Sequence, residues 1–193
     1  MDFTSCVESK KKEARRQNIA QVRAEIDKAW VSEKINNHVA NFDGLFSYDE
    51  IKEAILSNDI VASKFCKDPA KQNISEKLAE EALKTKKLPQ VGKNSIRFND
   101  DGEIVSSASG NTKAADFFIN GFYATQKFTM EAGGAQDNQR NDVIDFLKRG
   151  SISHKVAAIV DGDYWETYRP ILKEMFTDNP NVWITSVSEI TGG

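Results

Sequence analysis

Asp116 and Lys127 are the residues of this chain best placed to do chemistry. They flank Asn120-Gly121, which stands between two apolar and aromatic runs in AADFFINGFYATQKFTMEAGGAQDNQ, residues 114–139. Asn-Gly in that setting predicts a two-residue hairpin turn, because both central residues of a type I′ turn need positive φ. Alternation along the second strand puts Tyr123, Thr125, Lys127, Thr129 and Glu131 on one face. Phe122, Ala124, Gln126, Phe128 and Met130 share the other and read as core. Lys127 therefore projects from the polar face, with Asp116 on the partner strand. A carboxylate and an ammonium so placed suit metal-dependent phosphodiester cleavage: the first holds a divalent ion, the second orients or activates the attacking water. The inert reading has Asp116 capping a strand end and Lys127 reaching to solvent.

The hairpin runs on into Gly133-Gly134-Ala135-Gln136-Asp137-Asn138-Gln139. Glycines let a backbone approach a bulky partner, and a helix N-terminus offers unpaired N–H groups to a phosphate. Gln136, Asn138 and Gln139 carry amides able to reach adenine or phosphate oxygens. A helix cap with a flexible lead-in is the bland alternative.

With Asp116, Lys127 and the Gly-Gly-Ala-Gln run in place, the segment resembles the catalytic hairpin of the PD-(D/E)XK nuclease superfamily, most of all its type II restriction endonucleases. The resemblance covers roughly residues 65–190, and only those residues are specific to it. It implies a magnesium-dependent deoxyribonuclease in which Asp116 holds the metal and Lys127 positions the water, with Gly133, Gly134, Gln136, Asn138 and Gln139 toward DNA. Where the family has an acid two residues before the lysine, this chain has Thr125, a much poorer ligand for a hard cation. Three explanations stand open. A second acid comes from elsewhere (Glu76, Glu131 or Asp137); Gln126 serves as a neutral ligand in a shifted register; or the site is weakened or inactive. Related nucleases take a supporting carboxylate from the helix before the sheet, which favours Glu76 as both metal ligand and catalytic support.

The elements that must carry these groups read as helices first and strands later. Ile19, Val22, Ile26, Ala29 and Trp30 recur at helical spacing, with Ile35 and Val39 continuing the pattern. Ser47 and Glu50 form a capping box before a short helix with Ile51, Ala54, Ile55 and Leu56 inward. A further helix spans 75–84. The period then changes to two, with strand signals at 95–98 and 104–105 around Asn99-Asp100-Asp101-Gly102. The stretch 106–112 reads as a loop. Beyond the hairpin, a helix over 136–148 buries Val143, Phe146 and Leu147. Val156–Val160 reads as a strand covered on both faces, Asp161-Gly162-Asp163 as a turn, a helix surrounds 170–176, and Val182-Trp183-Ile184 is a last strand. The expected fold is α/β: a mixed central sheet, antiparallel meander plus parallel crossover strand, flanked by helices. That is also the restriction-endonuclease-like core the resemblance implies. One domain is expected over 1–193, with a helical subdomain at 1–65 and the α/β core at 66–193.

Composition bounds the rest. Of 193 residues, 39% are hydrophobic and 28% charged, ordinary for a globular chain. No segment approaches a membrane span or a secretory h-region. Cys6 and Cys66 are too few for a disulfide framework and lack zinc spacing. These features predict a reducing, cytoplasmic setting and no membrane partner; the resemblance implies no small-molecule cofactor beyond Mg2+. A net charge of −3 argues against binding nucleic acid by bulk positive charge but not against a basic cleft. Lys10-Lys11-Lys12 with Arg15 and Arg16 reads first as a solvated helix face and second as a phosphate clamp. The N-terminal helices and the loop at 106–112 are expected to supply DNA contacts or a dimer surface. Short palindromic sites favour a homodimer, because the symmetry of the site mirrors that of the protein. His38 and His154 lack a nucleophile's context. The expected function is sequence-specific cleavage of double-stranded DNA. The alternatives are a non-catalytic DNA- or partner-binding protein on this scaffold, or a non-specific DNA-processing nuclease.

Overall fold

The computed structural model describes residues 2–106, 112–130 and 134–192, which gather into two compact units. One is Cys6–Ile74; the other is Ser75–Gly193 with Met1–Ser5.

The first unit is helical: α1 (Phe3–Ala24), α2 (Ala29–Asn41), α3 (Tyr48–Ser57) and α4 (Asp59–Phe65), then a single 3-10 turn at Pro69–Gln72. Val22, Ile35, Ile55, Ala62 and Phe65 form its core. The capping box at α3 is complete: Glu50 N–H donates to Ser47 Oγ at 3.3 Å, and Ser47 N–H donates to Glu50 Oε2 at 2.8 Å. Ile51 and Ile55 point inward as expected, whereas Leu56 is exposed, because the helical period carries it to the solvent side. The unit continues past residue 65. Asn18 Nδ2 donates to the Lys67 carbonyl at 2.7 Å and its Oδ1 accepts from Gln72 Nε2 at 3.3 Å, tying the following segment back to α1.

The second unit is α/β. Its elements are α5 (Ile74–Leu83), β1 (Arg97–Phe98), β2 (Ile104–Val105), β3 (Lys113–Ala114), β4 (Phe117–Ile119), β5 (Phe122–Phe128), α6 (Gly134–Gly150), β6 (Val156–Asp161), α7 (Asp163–Met175), β7 (Val182–Thr185) and α8 (Val187–Thr191). The main sheet has the order β4-β5-β6-β7. Its first pair is antiparallel and the other two are parallel, with α6 and α7 making the crossovers. The mixed sheet flanked by helices is thus present. The meander, however, does not extend it: β1, β2 and β3 form a second small sheet in the order β2-β1-β3.

Asn120 and Gly121 have φ of 51° and 82°, and Ile119 pairs with Phe122, so the two-residue turn forms as the sequence requires. All six residues of β6 are buried, as a strand covered on both faces demands. Phe98, Val143, Phe146, Leu147, Val156 and Trp165 pack the core around it. The helix α7 begins at Asp163 rather than near Pro170, which lies inside it.

Asp161 ends β6 and is buried, not a solvent-facing turn residue. Both its oxygens accept from the Val187 N–H, at 3.1 and 3.2 Å, anchoring the start of α8. Burial raises this carboxyl from the ordinary 3.8 to about 6 against that hydrogen bond and Arg169, which lower it. A raised pKa means the folded state holds the proton more tightly than the unfolded chain. The contribution of Asp161 to stability is therefore full below about 4 and declines as pH rises through about 6, by up to about 3 kcal/mol. Asp161→Asn should remove that dependence. Urea unfolding of both proteins at pH 5 and pH 7 checks it: acidification should stabilise the parent relative to the variant.

Candidate active site

The residue before β4 is Asp116, and the backbone there changes sheets. Ala115 N–H donates to the Ile96 carbonyl beside the small sheet at 2.9 Å, and Asp116 N–H donates to the Ala124 carbonyl of the main sheet at 2.7 Å. The register Phe117↔Ala124 sets Asp116 opposite Thr125. Directly opposed residues share a face, so Asp116, Thr125 and Lys127 look the same way. They line one open cleft of about 250 Å³, together with Gln90, Arg97, Lys113 and Asp142.

Around Asp116 the hydrogen bonds are specific. Its Oδ2 accepts from the Thr125 hydroxyl at 3.1 Å and from the Gln126 N–H at 2.8 Å. Its Oδ1 lies 3.8 Å from Lys87 Nζ, which in turn donates to Glu76 Oε2 at 2.6 Å. The side chain of Asp116 is only 14% exposed. Two carboxylates, on α5 and at the head of β4, therefore converge on one ammonium. Lys87 is a third member that the sequence did not single out. The cluster Lys84, Lys86, Lys87 before Pro89 was the available signal, but nothing in it distinguished the one lysine that turns inward.

The cations of the cleft differ in availability. Arg97 is committed to the Thr112 hydroxyl and to the carbonyls of Gln90 and Thr112, and Lys113 to Asp142 at 2.6 Å. Among the described residues Lys127 has no ion-pair partner, so its ammonium is free to meet a ligand.

Other expected members lie elsewhere. Gln126 gives Asp116 its backbone N–H, but its side chain alternates to the opposite face of β5, buried, with Nε2 unpaired among the described residues. It is not placed to act as a ligand beside Asp116. Thr125 and Gln126 are both buried, so β5 is covered on each side rather than split into a core face and a solvent face. The helices on both sides of the sheet are the reason. Gln139 accepts a hydrogen bond from Thr129 Oγ1 at 2.6 Å through Oε1, which engages half of its amide inside the protein. Asn138 is exposed on the first turns of α6, and Asp137 pairs with Arg140 at 3.2 Å, away from any acid cluster. Gly134 opens α6. Glu131, Gly133, the side chain of Gln136 and most of the 106–112 loop lie outside the described residues.

Whether the cleft suits magnesium turns on its donors. Among the described residues no three His, Cys, Asp or Glu side chains gather as a metal cage. Glu76 and Asp116 are nevertheless hard oxygen donors that already share one cation, the Lys87 ammonium. Magnesium is commonly held by one or two carboxylates with waters and substrate phosphates completing its shell, and these two carboxylates, of which only Asp116 lines the cleft, are donors of that type. Thr125 adds only a hydroxyl, and that hydroxyl donates to Asp116.

Among the described residues no helix is long and apolar enough to cross a membrane. No family model, no curated protein and no solved structure matches this chain.

Proposed function

We propose that the α/β unit is a magnesium-dependent endonuclease acting on double-stranded DNA at specific sequences, in the manner of type II restriction enzymes, and working as a two-fold dimer. One observation carries the reading: Asp116 and Lys127 line a single cleft from the two strands of one hairpin, with Glu76 joined to Asp116 through Lys87. In this reading Asp116 and Glu76 hold the metal. Bound magnesium supplies a Lewis acid for the phosphoryl oxygens. Lys127, a donor without an ion-pair partner among the described residues, holds the attacking water or a phosphate oxygen in line. The water oxygen bonds to phosphorus, one P–O ester bond breaks, and the departing alkoxide takes up the proton the water gives up. Thr125 and the Gln126 N–H fix the Asp116 carboxylate, which raises its precision as a ligand.

Incubation of supercoiled plasmid with and without magnesium tests the reading. Discrete magnesium-dependent fragments are expected. A smear would instead mean a non-specific nuclease, and an intact plasmid a binding protein. The binding-protein reading has one observation of its own: Thr125 stands where an acid would, and an ammonium sits between the two acids that remain.

Thr125 separates a complete site from a damaged one. Thr125→Glu would exchange a hydrogen bond to Asp116 for a facing like charge in a buried position. It should cut no faster than the parent, while Glu76→Gln should lose roughly a hundredfold or more, as expected for a metal-site carboxylate. Cleavage rates beside magnesium calorimetry check both; a large gain in Thr125→Glu would show that the second acid is missing rather than supplied by Glu76.

A further inference from the structure

The described cations of the helical unit fall into two sets with no overlap. Lys10, Lys11, Arg23, Lys28 and Lys52 each pair with a carboxylate, at 2.6–3.4 Å. Lys12, Arg15, Arg16, Lys34, Lys64 and Lys67 do not, among the described residues, and all six line two adjoining clefts that share Arg15 and Ser63. The larger cleft holds about 870 Å³ and the smaller about 320 Å³. Lys34 is positioned there by a 2.8 Å bond to the Phe65 carbonyl and by the Trp30 ring, 5.1 Å away. Two acids also line the clefts: Asp59, already paired with Arg23, in the smaller, and Asp68 in the larger. Yet residues 6–74 as a whole carry 12 Lys and Arg against 11 Asp and Glu, a net of only +1. The unit is nearly neutral, and among the described residues its cations without a carboxylate partner sit in one place.

We propose that this paired cleft, lined by Lys12, Arg15, Arg16, Lys34, Lys64 and Lys67, is a binding site for the phosphodiester backbone of duplex DNA. Six exposed ends on long stems, against two carboxylates of which Asp59 is already paired with Arg23, suit a row of phosphates rather than one buried anion. Contacts of that kind position DNA without reading its sequence. The rest of the chain, 14 Lys and Arg against 18 Asp and Glu, is net −4 and repels a polyanion at long range. The helical cleft provides the attraction that the α/β unit lacks. The inference takes only its partner, DNA, from the proposed function and needs no chemistry at Asp116.

Fluorescence anisotropy with a labelled short duplex tests it, in calcium so that no strand is cut, over a salt titration. The variant carrying Arg15→Gln, Arg16→Gln, Lys64→Gln and Lys67→Gln should bind about a hundredfold or more weakly at low salt. Its slope of log affinity against log salt should fall by roughly 3–4, close to one per phosphate contact removed. Lys52→Gln, which breaks only a pair with Asp27, should leave both unchanged. Circular dichroism verifies folding, and Lys64→Glu alone gives a milder loss should the fourfold variant unfold. Unchanged affinity and slope in the folded variant would overturn the proposal, as would a parent that binds anionic vesicles but no duplex. A parent that binds through these residues yet never cuts in magnesium upholds the cleft and removes the nuclease reading alone.

Discussion

Asp116→Asn should give a folded protein that still binds DNA and cleaves it at least a thousandfold more slowly, about 4 kcal/mol in the barrier. The asparagine oxygen can keep the hydrogen bond from the Gln126 N–H while the charge proposed to hold the metal disappears. Asp116→Ala is the less clean variant. On a solvated polar face, truncation would leave the fold intact. The carboxylate is instead nearly buried and satisfies a backbone N–H, so alanine should also destabilise the protein, by about 1–3 kcal/mol. Lys127→Ala lacks that complication, because among the described residues no ion pair is broken. Gel assays of initial rate, with anisotropy for binding, separate these effects. An Asp116→Asn protein that cuts at the parental rate would remove Asp116 from the mechanism.

Trp165→Ala should reduce stability by about 3–5 kcal/mol, a large share of the total for a domain of this size. The ring is fully buried in the core beneath β6. Its Nε1 donates to Thr129 Oγ1 at 3.2 Å, and that hydroxyl donates onward to Gln139 at 2.6 Å, joining α7, the end of β5 and α6. Alanine leaves a cavity and takes a donor from Thr129, two residues beyond Lys127. Trp165→Phe should lose much less, about 1–2 kcal/mol, since it keeps most of the volume and drops the hydrogen bond. Urea unfolding followed by circular dichroism measures both. A loss below 1 kcal/mol in the alanine variant would mean that the core repacks around the gap.

What the chain disclosed by itself follows the range of the interactions involved. The Asn120-Gly121 turn, the Ser47 capping box and the buried run 156–160 are each decided within a few residues, and each forms as read. Asp116 and Lys127 could be put on one face because a two-residue turn fixes the register between their strands. Lys87 could not be found this way. It meets Glu76 eleven residues back and Asp116 on another element, a junction only the packing of α5 creates. Gln126 is buried on the face read as core, but the burial of Thr125 on the polar face was missed, because alternation tells which residues share a face and not that both faces are covered. The start of α7 was placed late because Pro170 normally opens a helix, whereas here it is tolerated in the interior. Asp161 looked like a turn acid because its partner, the Val187 amide, lies twenty-six residues on.

The ammonium between Glu76 and Asp116 bears on how this chain matures. Where a metal alone compensates clustered acids, the polypeptide waits for its ion and unfolds when a chelator takes it away. Here the counter-charge is covalently part of the chain and arrives with synthesis. The fold can thus be complete without any metal, and under the proposed function a dilute or fluctuating magnesium supply would govern when the site works, not whether the protein exists. Under that proposal the same lysine would also set a threshold, because an arriving cation would have to displace a partner that is always present at the highest possible local concentration.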